Sequence, residues 1–97
     1  MEEVIYYNEL YDLYHQLLTE KQCQYFEDYY FNNLSLSEMA ENYEVSRNAI
    51  FKQVHIVIDR LKGYEDKLQL FHKKETIEKL LPDIQNIEIK EILENLF

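Results

Sequence analysis

The stretch Ser35–Lys62 restricts the fold of this 97-residue chain more than any other part of it. Ser35 and Glu38 form the S-x-x-E pattern of a capping box, which predicts the start of a helix. Ser46 predicts a second start, because its hydroxyl can accept a hydrogen bond from a free amide of a new first turn. Two amphipathic helices joined by so short a turn are typical of a helix-turn-helix.

The apolar residues of this stretch recur at helical spacing, so they predict the two faces that pack together. They are Leu36, Met39, Ala40 and Tyr43 in the first helix, and Ala49, Ile50, Val54, Val57, Ile58 and Leu61 in the second. We expect Ala40 to allow a close crossing of the helices and Val45 to fill the corner between them. The turn itself requires a residue at positive φ. The candidate is Glu44, where a residue other than glycine costs about 1 kcal/mol.

The outward face of the second helix is the candidate functional site, since a recognition helix presents its reading side chains there. Its residues are Ser46, Arg47, Asn48, Phe51, Lys52 and His55. They predict contacts with phosphates and base edges. One alternative is an ordinary exposed polar face. Phe51 marks a contact with a protein, with a thymine methyl group or with a stacked base, or it folds against the next helix.

The remainder of the chain predicts further helices, because it contains one glycine and one proline. We expect helices at residues 1–18, at Glu20–Phe31 with Thr19 and Gln22 as a capping box, at Tyr64 to Leu81, and at Asn86 to Leu96. The predicted stops are Asn32-Asn33, Gly63 and Pro82. The predicted fold class is all-α: a small helical bundle with a helix-turn-helix domain at residues 1–74 and a C-terminal helical tail at residues 75–97.

Tyrosine dominates the predicted inner face of the first helix, which consists of Tyr7, Leu10, Tyr11, Tyr14, Leu17 and Leu18. At this spacing we interpret the tyrosines as core residues, although tyrosine rings can also stack on nucleic acid. Cys23 is interpreted as a small core residue. The tail carries Ile84, Ile87, Ile89, Ile92, Leu93, Leu96 and Phe97, which either pack back on the body or form a homodimer with a second copy.

Several classes of protein are excluded by pattern. The sequence contains no run of about 18 apolar residues, so it predicts no membrane span. The acidic N-terminus does not resemble a signal peptide. One cysteine and three scattered histidines complete no metal site, and no cofactor or catalytic motif is present. We therefore expect a cytoplasmic protein that is not an enzyme.

The net charge of −9 argues against general nucleic-acid binding, but its distribution is uneven. Residues 1–46 hold one base and ten acids, whereas residues 47–97 are balanced. Arg47–Lys62 contains four basic residues and the single acid Asp59, which gives a net charge of +3. The predicted recognition helix is thus locally basic. The acids of residues 1–46 are either solvated or a docking face for a basic partner.

Leu17–Phe71 resembles the YlxM-like family of small bacterial helix-turn-helix proteins, which is itself similar to region 4 of bacterial sigma factors. The resemblance rests on the LT-x-K-Q run at Leu18–Gln22, Tyr29-Tyr30, S-L-S-E-M-A at Ser35–Ala40, V-S-R at Val45–Arg47 and Y-E-x-K-L at Tyr64–Leu68. It covers about residues 5 to 74.

The resemblance implies a regulatory role linked to the signal recognition particle pathway, because genes of this family tend to lie beside that of the particle's GTPase. It implies no catalytic residues. Our hypothesis is a regulator that binds DNA or the particle's RNA through Arg47–His55. The alternative is an acidic adaptor that binds the particle's GTPase and no nucleic acid.

Overall fold

The computed structural model describes residues 2–97, which form six α-helices and no β-strand. The helices are α1 (Glu2–Tyr14), α2 (Glu20–Phe26), α3 (Leu36–Tyr43), α4 (Arg47–Leu68), α5 (Leu70–Leu80) and α6 (Ile87–Glu94). Helical turns extend three of them: 3-10 turns at His15–Leu17 and Leu81–Asp83, and a π turn at Glu27–Phe31. The predicted all-α class is confirmed.

The predicted caps begin the two helices of the motif. The Oγ of Ser35 accepts from the amide of Glu38 at 3.0 Å, and the Glu38 carboxylate accepts from the Ser35 amide at 3.0 Å, which completes the capping box. The Oγ of Ser46 accepts from the amide of Ala49 at 3.0 Å. Thr19 forms a capping box at the start of α2 as well. Sequence alone therefore located three of the helix starts.

The turn between α3 and α4 has the left-handed residue that the sequence predicted. Glu44 lies at φ 56° and ψ 43°. Its amide donates to the carbonyl of Glu41 at 3.3 Å, and the next amide, of Val45, donates to the carbonyl of Ala40 at 3.1 Å. This pair of bonds is a Schellman motif, in which the positive φ lets the chain reverse while the last carbonyls of α3 stay satisfied.

The core consists of two clusters that share α4. The larger joins α1, α2 and α4 and contains Leu10, Tyr11, Tyr14, Leu18, Phe26, Val57, Ile58 and Leu61. The smaller joins α2, α3 and α4 and contains Tyr25, Met39, Ile50 and Val54. Because both clusters draw on one helix, α4 is fixed in its angle to α3 and to the rest of the body.

Two expectations about apolar residues were wrong. Val45 does not fill the corner of the motif but is 44% exposed, because the fully buried Met39 and Ile50 already close the space between the helices. Leu17 is 54% exposed. The chain leaves the α-helical spacing at His15–Leu17, and a turn with three residues instead of 3.6 rotates Leu17 away from the core.

The second predicted helix continues to Phe31 but widens into a π turn over its last five residues. The amide of Asn32 donates to the carbonyl of Glu27 at 2.9 Å, five residues back. Asn33 then takes φ 54°, which confirms the predicted stop. The π turn presents two carboxylates to tyrosines of other helices: Tyr11 donates to Glu27, and Tyr43 donates to Asp28 at 2.6 Å.

Gly63 does not end the second motif helix, contrary to the prediction. Helix α4 continues through it to Leu68, and the left-handed residue that closes the helix is Gln69 at φ 54°. The predicted start of the next helix at Tyr64 is therefore wrong as well, since α5 begins at Leu70. A glycine inside a helix costs about 0.5–1 kcal/mol relative to alanine. The residue beyond it that rewards continuation is Glu65, which is buried and bonded to Tyr14 of α1.

A buried carboxylate fixes the corner between α4 and α5. Glu65 is 8% exposed and accepts from the hydroxyl of Tyr14 at 2.6 Å, from the amide of Phe71 at 2.9 Å and from the amide of His72 at 3.2 Å. The hydroxyl of Tyr14 also accepts from the Leu70 amide at 3.0 Å. Glu65 thus caps the start of α5 from a distance, where a negative charge is favoured by the helix dipole.

The C-terminal helices form an arm rather than a further layer of the body. The start of α5 is attached to α1 by Phe71, whose ring lies 5.2 Å from that of Tyr6, and by an ion pair of 3.6 Å between Lys74 and Glu9. Beyond this attachment α6 turns back on α5. The radius of gyration of 16.7 Å exceeds the roughly 13 Å of a compact chain of this length, and the extents are 55 × 24 × 23 Å.

Candidate nucleic-acid interface

The outward face of α4 starts at the motif turn and runs along one side of the helix. Positions 47, 51, 55 and 62 fall within about 80° of the helix circumference, since each residue turns the α-helix by about 100°. The side of α4 that adjoins these positions is buried, with Ile50, Val57 and Leu61 fully inaccessible. We call this exposed side, which spans about 140° of the helix circumference, the α4 ridge; its residues are Ser46, Arg47, Asn48, Phe51, Lys52, His55, Asp59 and Lys62.

Every residue that the sequence predicted for this site is exposed on α4 or at its cap. They are Ser46, Arg47, Asn48, Phe51, Lys52 and His55. The structure brings all six onto the ridge, and neither α6 nor the π turn covers them. Their function stays a prediction, because exposure alone does not identify a ligand.

Phe51 is 50% exposed and does not fold against the next helix. Its ring meets that of His55 at 4.4 Å between centroids, with planes inclined at 61°. Phe51 also borders a shallow groove with Leu36, Arg47 and Asn48. Half of a large aromatic ring therefore faces solvent between a cation and an imidazole.

The cations of the ridge are available to a ligand. Among residues 2–97, no carboxylate lies within ion-pair distance of Arg47 or Lys52. Lys62, one helical turn beyond Ile58, has its Nζ 5.3 Å from the centroid of the Tyr7 ring. Contact with Tyr7 raises the pKa of Lys62, so this side chain remains a cation at neutral pH.

Sequence reasoning missed Tyr7 and the pair Tyr29-Tyr30 as neighbours of the ridge. All three are half-buried and line a cleft beside α4. A signal was present, since adjacent aromatic residues on a helix differ by about 100° in direction and cannot both face the core. In the pairs Tyr6-Tyr7 and Tyr29-Tyr30, accordingly, no residue is fully buried.

The other titratable groups have structural roles or no common site. Cys23 is half-buried, and its thiol donates to the carbonyl of His15 at 3.5 Å. Within residues 2–97, no cluster of histidine, cysteine and carboxylate side chains could hold a metal ion. Glu27 and Asp28 are engaged by tyrosines, whereas Asp12, Glu20 and Glu41 are exposed. The exposed acidic surface is therefore formed by carboxylates outside the π turn.

None of the helices in residues 2–97 combines the length and the apolar character that a membrane crossing requires.

Comparison with known proteins agrees with this geometry. The family model described as "Putative helix-turn-helix protein, YlxM / p13 like" matches residues 1–96. The UPF0122 protein of Fusobacterium nucleatum is 41% identical over 96 residues, which cover 99% of this chain and 93% of that protein.

Two further relatives match shorter stretches. The UPF0122 protein of Shouchella clausii is 41% identical over 85 residues, covering 88% of this chain and 78% of its own. That of Anoxybacillus flavithermus is 44% identical over 81 residues, covering 84% and 74%. With the motif geometry and a family match over almost its whole length, the chain belongs to the YlxM/p13-like family of helix-turn-helix proteins.

Proposed function

We propose that this protein is a cytoplasmic regulator that binds DNA or RNA through the α4 ridge and takes part in the signal recognition particle pathway. The observation that carries the binding proposal is the ridge itself: an exposed face, free of ion pairs within the described residues, at the start of the second motif helix. The pathway rests on the family resemblance.

The roles of the ridge residues follow from their chemistry. Arg47 and Lys52 are placed to neutralise phosphates, and Asn48 and His55 can exchange hydrogen bonds with base edges. The oxygen of Ser46 accepts from the Ala49 amide, which leaves its hydroxyl hydrogen free to donate to a phosphate.

The net charge of −9 does not oppose this role as strongly as it first suggests. At physiological ionic strength, exposed charges more than about 8 Å apart are largely screened from each other. A phosphate that approaches the ridge therefore experiences mainly the cations Arg47, Lys52 and Lys62 and the single acid Asp59, a local net charge of +2. Binding that depends on so few cations should be weak and sensitive to salt.

The test is the salt dependence of binding to duplex DNA and to the particle's RNA. Arg47→Ala and Lys52→Ala should each weaken binding and reduce the slope of log K against log salt by about one unit, since each removes one phosphate contact. Arg60→Ala is the matched control, because Arg60 is exposed on the same helix but lies outside the ridge. Equal effects of all three variants, or no binding at low salt, would contradict the proposal.

The alternative is an adaptor that binds the GTPase of the particle and no nucleic acid. The observation in its favour is the exposed acidic surface of residues 1–46, which attracts basic proteins. Simultaneous reversal of Asp12, Glu20 and Glu41 to lysine should then abolish capture by the purified GTPase. Unchanged capture would remove the adaptor.

A homodimer through the C-terminal helices is part of the proposal. Ile92 is 65% exposed and Leu96 is 56% exposed on α6, and Leu80 is 54% exposed on α5. Leu93 and Phe97 face α5 near Ile77, so only one half of the apolar side of α6 is used within the chain. The unused half supports pairing with a second copy.

A further inference from the structure

A cleft beside the α4 ridge has a composition that the ridge alone does not explain. It lies between α1, the π turn and α4, and its volume is about 160 Å³. Five rings border it: those of Tyr7, Tyr29, Tyr30, Phe51 and His55. Phe51 and Leu36 are shared with the groove at Arg47, so the cleft and the start of α4 form one continuous surface.

The size of the cleft suits a single ring system. A cavity of about 150 Å³ accommodates benzene, whereas pockets for drug-sized ligands begin at about 300 Å³. The tyrosine rings are not stacked on one another: Tyr29 and Tyr30 meet edge to face at 5.0 Å and 88°, and Tyr7 meets Tyr30 at 6.1 Å and 72°. A planar ligand can therefore stack on the faces of these rings, which no other tyrosine covers.

Charges around the cleft indicate that its guest belongs to an anionic chain. Lys62 lies at one end and Arg47 at the other end of the joint surface, about four helical turns apart along α4. A flat ring between two cations is the arrangement that binds single-stranded nucleic acid, where bases stack on aromatic side chains and phosphates follow the positive charge. A base that is paired and stacked in a duplex does not offer its faces in this way.

One carboxylate at the border of the cleft indicates which nucleobase can form the most hydrogen bonds there. Asp59 is exposed at the border of the cleft, one helical turn beyond His55. A carboxylate is only an acceptor, with two oxygens. The Watson–Crick edge of guanine offers two adjacent donors, its ring N–H and its amino group, whereas adenine and cytosine each offer an amino group alone and uracil a single ring N–H.

We propose that the cleft binds one unpaired nucleobase, with guanine preferred, from a single-stranded segment whose phosphates lie along the α4 ridge. Phe51 and the tyrosines stack on the base, and Asp59 accepts from its Watson–Crick edge. The inference rests on the proposed function and refines it, because it selects nucleic acid with an unpaired base over a plain duplex. RNA and DNA share this chemistry.

The experiment uses the full chain and hairpins with one stem and the loops UUGUU, UUAUU, UUCUU and UUUUU. The dissociation constants are measured by fluorescence anisotropy at low salt, for RNA hairpins and for DNA hairpins with thymine in place of uracil, so the two arms distinguish the sources. The UUGUU loop should bind tightest in at least one arm. Phe51→Leu, which removes the ring but keeps an apolar side chain, should weaken that binding at least about fivefold.

Two variants control this result. Phe31→Leu makes the same change at a residue that is 48% exposed, close to the 50% of Phe51, but lies outside the cleft, and it should leave binding unchanged. Asp59→Asn replaces one acceptor oxygen by a donor on the exposed surface. It should reduce the preference for guanine while the fold, checked by thermal melting, is retained.

Different failures have different meanings. If the four loops bind equally and Phe51→Leu behaves like Phe31→Leu, while Arg47→Ala still weakens binding, the base site is wrong and the proposed function stands. The same follows if the stem duplex alone binds as tightly as the UUGUU hairpin. If neither RNA nor DNA binds, both proposals are wrong. Loss of GTPase capture in Phe51→Leu without any guanine preference would assign the cleft to a protein side chain.

Discussion

Tyrosine hydroxyls bonded to carboxylates hold the interior of this protein together at positions far apart in the chain. Each pair places an aromatic ring in the core or against it and gives the tyrosine hydroxyl a carboxylate oxygen as acceptor. Part of the acidic excess therefore has a structural role. The pairs are Tyr11 with Glu27, Tyr43 with Asp28 and Tyr14 with Glu65.

Tyr14, which belongs to one of these pairs, and the partly buried Tyr30 should make the protein sensitive to alkaline pH. Burial, and then the bond to Glu65, raises the pKa of Tyr14 to about 12, and burial raises that of Tyr30 to about 12. The unfolded chain loses these protons near pH 10 while the native state keeps them. The free energy of unfolding is thus unaffected below pH 10 and should fall as pH rises towards 12, by about 1 kcal/mol per tyrosine and pH unit. Urea titrations at several pH values measure this.

Tyr14→Phe separates the contribution of one residue. At pH 7 it should destabilise the protein by about 1–3 kcal/mol, because the buried Glu65 loses a donor. Above pH 10 its stability should fall less steeply than that of the original chain, since one shifted tyrosine no longer titrates. Parallel slopes for the two proteins would show that Tyr14 does not contribute to the pH dependence.

At this scale the sequence predicted which side of a helix is buried but not what its polar ends touch. The burial of Tyr11 and Tyr14 followed from their spacing. Their partners did not, because Glu27 and Glu65 lie 16 and 51 residues away and only the packing of α1 on α2 and α4 brings them near.

Helix α4 carries its one glycine at a position where alanine would serve better. Gly63 lies inside the helix without a positive φ, and a Cβ built there meets no atom within 4 Å. Gly63→Ala should stabilise the protein by about 0.5–1 kcal/mol, through the lower conformational entropy of the unfolded chain. The midpoint of thermal unfolding should then rise by several degrees.

The reverse substitution on the same helix serves as the control. Arg60 is exposed, and Arg60→Gly should lower stability by a similar amount. Should Gly63→Ala lower the melting temperature instead, the helix would have to be strained or interrupted at this residue.

The boundaries of elements were predictable where a side chain defines them. Ser35 and Ser46 are N-caps that can be recognised from the local sequence, and the predicted starts of α3 and α4 were both correct. The end of α4 was not, because Gly63 is a local signal for a stop whereas the signal for continuation, the burial of Glu65 against α1, is tertiary. The division of the chain at residues 74 and 75 stays a prediction, and α5 spans it.

On the scale of the whole molecule, the exposed apolar side of the arm predicts self-association. Ile92→Asp should shift the full chain from a dimer towards a monomer, because an unpaired charge would be buried at the interface. Light scattering coupled to gel filtration gives the mass at each concentration.

Ile5→Asp is the matched control for this experiment. Ile5 is 61% exposed, close to the 65% of Ile92, but lies on α1 and not on the exposed apolar side of α6. It should leave the mass unchanged. A monomer mass for the original chain at high concentration would rule out the dimer.

The ridge was predictable from one segment, whereas the cleft beside it was not. Arg47, Phe51 and Lys52 lie on a single helix, and the helical spacing of its apolar residues can be read from the sequence. The cleft requires α1, the π turn and α4 to meet at one place. Tyr7 and Phe51 are 44 positions apart, and no local pattern places one beside the other.

The junction at Gln69 has a consequence for any pair of these molecules. Only this one residue separates α4 from α5, and Glu65 clamps the corner from inside, so the arm cannot swing independently of the helix that bears the ridge. Two copies joined through their arms would hold their ridges at a distance set by rigid helices and not by a flexible tether. Such a dimer would favour targets whose two contact points have one particular separation.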